Sequence, residues 1–171
     1  MGSEYTILTV WNTGRNILKL KNLMDLYQDH HTKTITKLTH FIGVPMIYFA
    51  VMIPLCWLHF RGLPLTWFLT IGLISLYCFF DLRVAFGSAL VLVSLAGFAT
   101  YCAGDQIHLQ AVAVFLIAFI VGWLIQFVGH YFEGNRPALF DNLLQIFIAP
   151  AFVAAEFMGM LGLLGKKKPG F

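Results

Sequence analysis

Four apolar runs separated by turns of a few residues decide what this chain can become. Residues 41–60, 65–80, 84–103 and 111–129 are almost wholly hydrophobic, and Arg61-Gly62-Leu63-Pro64, Asp81-Leu82-Arg83 and Gly104-Asp105 divide them. A helix needs roughly 20 apolar residues to cross about 30 Å of hydrocarbon. Three of the runs suffice alone, and the shorter 65–80 needs its flanks. Only 11% of the chain is charged, against about 25% in soluble proteins, and mean hydropathy is +0.79. These features predict one integral membrane domain over 1–171, and nothing resembles a nucleic-acid motif. Pro45 and Pro54 fall inside the first run, where membrane helices tolerate proline. Cys56, Cys78 and Cys102 lie in apolar runs without metal-type spacing, and read as small buried hydrophobes.

The flanks set the topology. In 13–29, Ile17, Leu20, Met24 and Tyr27 recur at three- and four-residue steps beside Arg15, Lys19 and Lys21. That pattern is an amphipathic helix, lying on an anionic membrane surface or packed on the bundle. Residues 30–40, HHTKTITKLTH, lack such periodicity and suggest a turn before the first span. The first eleven residues hold too short an apolar run for a signal peptide. Four spans gather Arg15, Lys19, Lys21, Lys33, Lys37, Arg83 and Arg136 on one side, with Arg61 opposite. Lys166, Lys167 and Lys168 join the crowded side only if 143–164, which contains Pro150 and Glu156, dips in and returns. The positive-inside rule therefore predicts an all-α membrane protein of four transmembrane helices. An N-terminal amphipathic helix and a C-terminal re-entrant or interfacial helical hairpin complete it, with both termini cytoplasmic.

An even number of crossings between them brings His40 and His130 to one boundary. There the apolar fourth run ends in QFVGHYFEGNRPALFDN, Gln126 to Asn142. It places His130, Glu133, Arg136 and Asp141 close together, groups that hydrocarbon rejects unless they are solvated, paired or functional. His130 and Glu133, three apart, share a helix face. His30, His31, His40 and His130 all fall at this boundary. Three imidazoles around an ion with open positions suit an oxygen-activating ferrous site, although a lone interfacial histidine is more often solvated. His31 and His40, nine apart, point oppositely on a continuous helix, so sharing one ion requires a turn between them. Glu133 has three readings: a ligand, an acceptor that orients a histidine, or the ion-pair partner of Arg136. Glu156 needs a partner, which a histidine N–H or Arg136 could supply. Asp141 and Asn142 read as caps of the C-terminal helix, and His59 and His108 as solvated loop residues at the far boundary.

A family pattern accounts for this cluster. Gln126-Phe127, Gly129-His130, Glu133, Arg136-Pro137-Ala138-Leu139 and Asp141-Asn142-Leu143, then Pro150 and Glu156, form its C-terminal part. Upstream stand Tyr27, His31, His40 and Val44-Pro45. Over nearly the whole chain this resembles the membrane 2-hydroxy fatty acid dioxygenases. Thr32 to Thr39 stand where that family commonly carries Asn-Pro and a further asparagine, which leaves the choice between His30 and His31 open.

The resemblance implies Fe(2+)- and O2-dependent α-oxidation of a 2-hydroxy long-chain fatty acid, shortening it by one carbon. It implies His31, His40 and His130 as iron ligands, with His30 and Glu133 as alternates. Arg136 would hold the substrate carboxylate, Tyr27 would line the substrate site, and the alkyl tail would lie between the spans or in lipid. The host would be a bacterial inner membrane or the endoplasmic reticulum, with the site facing the cytoplasm and the oligomeric state undetermined. The competing readings are a non-catalytic scaffold, a small transporter with interfacial histidines, and a haem protein with two histidine ligands.

Overall fold

The computed structural model describes residues 34–79, 81–134 and 144–162. The expected amphipathic helix, and with it Tyr27, His30, His31, Arg136, Asp141 and Asn142, lies outside the described residues. Among the described residues five helices run in chain order: α1 Thr34–Trp57, α2 Leu65–Cys78, α3 Leu82–Ala103, α4 Leu109–Glu133 and α5 Leu144–Met160. Between α1 and α2 a short hairpin pairs β1, His59–Phe60, with β2, Leu63–Pro64.

Local chemistry accounts for the turns. Arg61 and Gly62 both have positive φ, 50° and 81°, the backbone that two-residue hairpins need to match strand twist. Asp81 caps α3 by accepting from the backbone N–H groups of Arg83 and Val84. His108 caps α4, its Nδ1 accepting the Ala111 N–H at 3.1 Å, so it has a defined structural task beyond that of a solvated loop residue. His59 is exposed, as expected. Of the cysteines only Cys56 is buried; Cys102 is half-buried and Cys78 is exposed, a correction to the expectation for all three.

α1, α3 and α4 are each long and apolar enough to cross a membrane. At about 1.5 Å per residue, the 14-residue α2 rises only about 20 Å, short of a full hydrocarbon core. Large apolar side chains such as Phe98, Ile117 and Leu124 point outward, as lipid-facing residues do.

Two boundaries differ from expectation. α1 begins at Thr34, so Thr34 to Thr39, read as part of a turn, is already helical. Its threonines close their hydroxyls locally and across the helix pair: Thr39 Oγ1 donates to the Thr36 carbonyl, and Thr36 Oγ1 to the Gly129 carbonyl. The described part of 143–164 is one continuous helix through Pro150, not the two limbs of a hairpin. α5 lies against α1 and α3, running antiparallel to α1, with Ile146 beside Tyr48 and Glu156 beside Lys37.

α1 is the centre of the bundle, and its largest interface is with α4. Two glycines make that approach possible. A Cβ on Gly122 would lie 2.8 Å from Ile47 Cγ1, and one on Gly129 would overlap Thr39 Oγ1. Small residues that let backbones close up are a general means of membrane-helix association. Here they bring the second turn of α1 against the last turns of α4.

Candidate functional site

That close approach carries His40 and His130 into contact. His40, on the second turn of α1, and His130, on the last turn of α4, are 2% and 5% exposed. Their ring centroids are 4.9 Å apart at an interplanar angle of 80°. Residues at opposite ends of the chain thus meet at one end of the bundle, as the sequence reading required.

The protonation of His40 follows from its partner. Its Nδ1 lies 2.8 Å from the Thr36 carbonyl oxygen, which can only accept. Nδ1 therefore carries the hydrogen, and in the neutral ring the lone pair sits on Nε2. A histidine whose one nitrogen donates to a carbonyl, leaving the other as an oriented lone-pair donor, has the usual arrangement of a metal ligand. The Thr36 carbonyl also receives the Thr39 hydroxyl at 2.9 Å, so the acceptor is itself held in place. Sequence reasoning missed Thr36; the signal was its position one turn before His40.

The spacing of the two rings also fits a shared ion. With metal–nitrogen bonds of about 2.1 Å, two imidazoles on adjacent positions of one metal have centroids roughly 4.5–5.2 Å apart. The observed separation falls inside that window. It also falls inside the range of ordinary edge-to-face ring packing, so the fixed tautomer of His40 adds what distance alone does not.

The other sequence-derived candidates are placed as follows. Glu133 ends α4, three residues beyond His130, with its side chain outside the described residues. Arg136, His30, His31 and Tyr27 lie outside them as well. Among the described residues no group of three or more His, Cys, Asp and Glu side chains assembles, so the described part of the site is the histidine pair. Among the described residues Glu156 has a partner that the sequence reading did not name. Lys37 Nζ holds both of its carboxylate oxygens at 3.0 Å, because antiparallel docking of α5 brings residue 156 to the level of the first turn of α1. Gln126, one turn before His130, is 6% exposed and lies against Gly43, where a Cβ would come within 3.0 Å of its Cγ.

These features define a class: a helical membrane protein that buries an imidazole pair where α1 and α4 meet. The comparisons with known proteins give that class a family. Residues 17–161 match the family described as 2-hydroxy-palmitic acid dioxygenase Mpo1-like. The chain is 34% identical over 163 residues to the 2-hydroxy-palmitic acid dioxygenase MPO1 of Saccharomyces cerevisiae, covering 91% of this chain and 88% of that protein. This chain belongs to the Mpo1-like family. No solved structure matches it.

Proposed function

We propose that this protein is a membrane-embedded, Fe(II)-dependent dioxygenase that shortens 2-hydroxy long-chain fatty acids by one carbon. The observation that carries the reading is the buried His40–His130 pair, 4.9 Å apart, with the His40 Nε2 lone pair set by the Thr36 carbonyl. Membership of a family named for 2-hydroxy-palmitic acid dioxygenase supplies the substrate class. The resemblance adds His31 as third ligand, with His30 and Glu133 as alternates, Arg136 at the substrate carboxylate and Tyr27 beside the substrate.

The overall change balances without a further reductant. A 2-hydroxy acid and O2 give the acid one carbon shorter, carbon dioxide and water. The C1–C2 bond breaks, C2 becomes the new carboxyl carbon, and the four electrons lost by the substrate reduce O2. Ferrous iron would supply O2 binding and a chelating centre for the hydroxyl and carboxylate oxygens. The protein's own part is to fix two imidazoles before substrate arrives, to bury them from water, and to present a guanidinium to a carboxylate in paired hydrogen bonds. Burial at the end of apolar helices admits a substrate whose tail belongs in lipid. Four crossings with the site on the cytoplasmic side complete the reading.

His40 and His130 would hold non-haem iron, which would supply O2 activation beside the substrate. The deciding experiment is anaerobic loading of purified protein with ferrous iron, followed by oxygen and 2-hydroxypalmitic acid, with products read by mass spectrometry. Appearance of the acid one carbon shorter supports the reading. Stoichiometric iron with unchanged substrate would remove the reaction, and a Soret band would replace it with haem chemistry.

A further inference from the structure

A cavity of about 230 Å3 lies between α1, α3 and α5, lined among others by Val44, Tyr48, Ser88, Leu92, Val153 and Ala154. Its walls are almost entirely hydrocarbon. Between α1 and α5, toward the end of the bundle that carries the histidines, two contacts flank it. Phe41 and Phe157 meet at 5.4 Å between centroids, and outside them Lys37 bridges to Glu156. Val91 and Phe157, both lining it, are 43% and 46% exposed, so on its α3–α5 side the cavity opens toward lipid.

Its position on α1 ties it to the histidine pair. At about 100° per residue, Thr36, Gly43 and Ile47 form the stripe of α1 that faces α4, while Lys37, Val44 and Tyr48 form the one that faces the cavity. His40 lies between the two stripes. Val44, one turn deeper and 4% exposed, is its neighbour on the cavity side. A molecule gripped by its polar end at His40 therefore has an apolar cavity one turn away.

We propose that this cavity holds the head-proximal part of the substrate's alkyl chain and releases the remainder into lipid between Val91 and Phe157. The inference rests on the dioxygenase reading for its polar end. The volume sets the length: a methylene is close to a water in size, roughly 30 Å3, so the cavity takes roughly seven or eight. The protein then measures the first half of a long acyl chain and is indifferent to the rest.

Two experiments test this. The first measures kcat/KM of the iron-loaded protein for saturated 2-hydroxy acids of about four to about twenty carbons. The expected rise is roughly fourfold per methylene, the equivalent of about 0.8 kcal/mol, ending in a plateau once roughly eight methylenes follow the hydroxyl-bearing carbon. A rise that continues to the longest chains, or no rise at all, overturns the proposal. Ala154→Leu inside the cavity and Val91→Phe at its exposed rim should bring the plateau forward by several carbons. An unchanged length profile in folded variants counts against it.

The second needs no turnover. A 2-hydroxy acid with a diazirine near its sixth carbon is photolysed anaerobically on the full-length wild-type chain, and adducts are mapped by mass spectrometry. Adducts on the peptides of Val44, Leu92 or Val153 support the cavity. Adducts confined to outward residues such as Phe98 and Ile117 overturn it. Labelling of the cavity without oxidation of the same acid would sink the dioxygenase reading and leave the binding site standing.

Discussion

Tyr48 donates its hydroxyl, at 2.6 Å, to the carbonyl of Ile146. That carbonyl lies four residues before Pro150, whose missing N–H leaves it without its helical partner. A second tyrosine, Tyr77, donates at 2.7 Å to the adjacent carbonyl of Phe147. A proline in a membrane helix is tolerated when a neighbour satisfies the freed backbone; here α1 does so at Ile146, and α2 adds a bond at the next carbonyl. The same two bonds fix where α5 docks, and so fix one wall of the apolar cavity.

Tyr48→Phe should therefore destabilise the protein by about 1–3 kcal/mol, the range for leaving a buried acceptor unmade. Pro150→Ala restores an N–H to the Ile146 carbonyl. In the Tyr48→Phe background it should recover most of the loss. Thermal unfolding in detergent of the four members of this cycle gives the coupling, and independent, additive effects would show that the tyrosine does not serve the proline.

His40→Ala or His130→Ala should reduce bound ferrous iron to background and abolish turnover. Both imidazoles are buried and neither has a described substitute within reach. The check is iron content after anaerobic loading and desalting, together with product formation. Retained stoichiometric iron in either variant would remove that residue from the ligand set.

The fold was legible where one physical term dominated. Apolar length alone marked the four runs, and the expectation that His40 and His130 share one end of the bundle is met by their contact. Other features depend on tertiary contact. Thr34 to Thr39 looks non-helical because β-branched polar residues have poor propensity, yet it is helical because Thr36 and Thr39 find acceptors on α1 and α4. Lys37 was missed as a partner of Glu156 because nothing local indicates that α5 runs antiparallel to α1. The cavity left no sequence signal, since three helices enclose it. Gly129 stood in the recognised motif beside His130, but its role, admitting Thr39, is visible only once the helices are packed.

Gly129→Ala should cost iron affinity at least tenfold although it touches no metal-binding atom. Its Cβ overlaps Thr39 Oγ1, so α4 must shift away from α1 and the histidine pair opens. Thr39→Ala removes the colliding oxygen and leaves the residue 39 Cβ at 3.1 Å, a tight but tolerable contact. The double variant should regain most of the affinity in an iron titration. Failure of Thr39→Ala to rescue would mean that the helix spacing is not set by this contact.

The Lys37–Glu156 bridge should contribute little to stability and more to placement. Lys37 and Glu156 side chains are 38% and 23% exposed, and ion pairs with that much solvent give at most about 1 kcal/mol. Lys37→Met should change the unfolding temperature only slightly. Lys37→Glu is different, because two carboxylates then face each other where α1 and α5 meet beside the cavity. That variant should push α5 outward and raise proteolysis near Met160, and Lys37→Glu combined with Glu156→Lys should reverse both effects. Equal protease sensitivity in the charge-reversed and charge-swapped proteins would show that the bridge does not hold α5 in place.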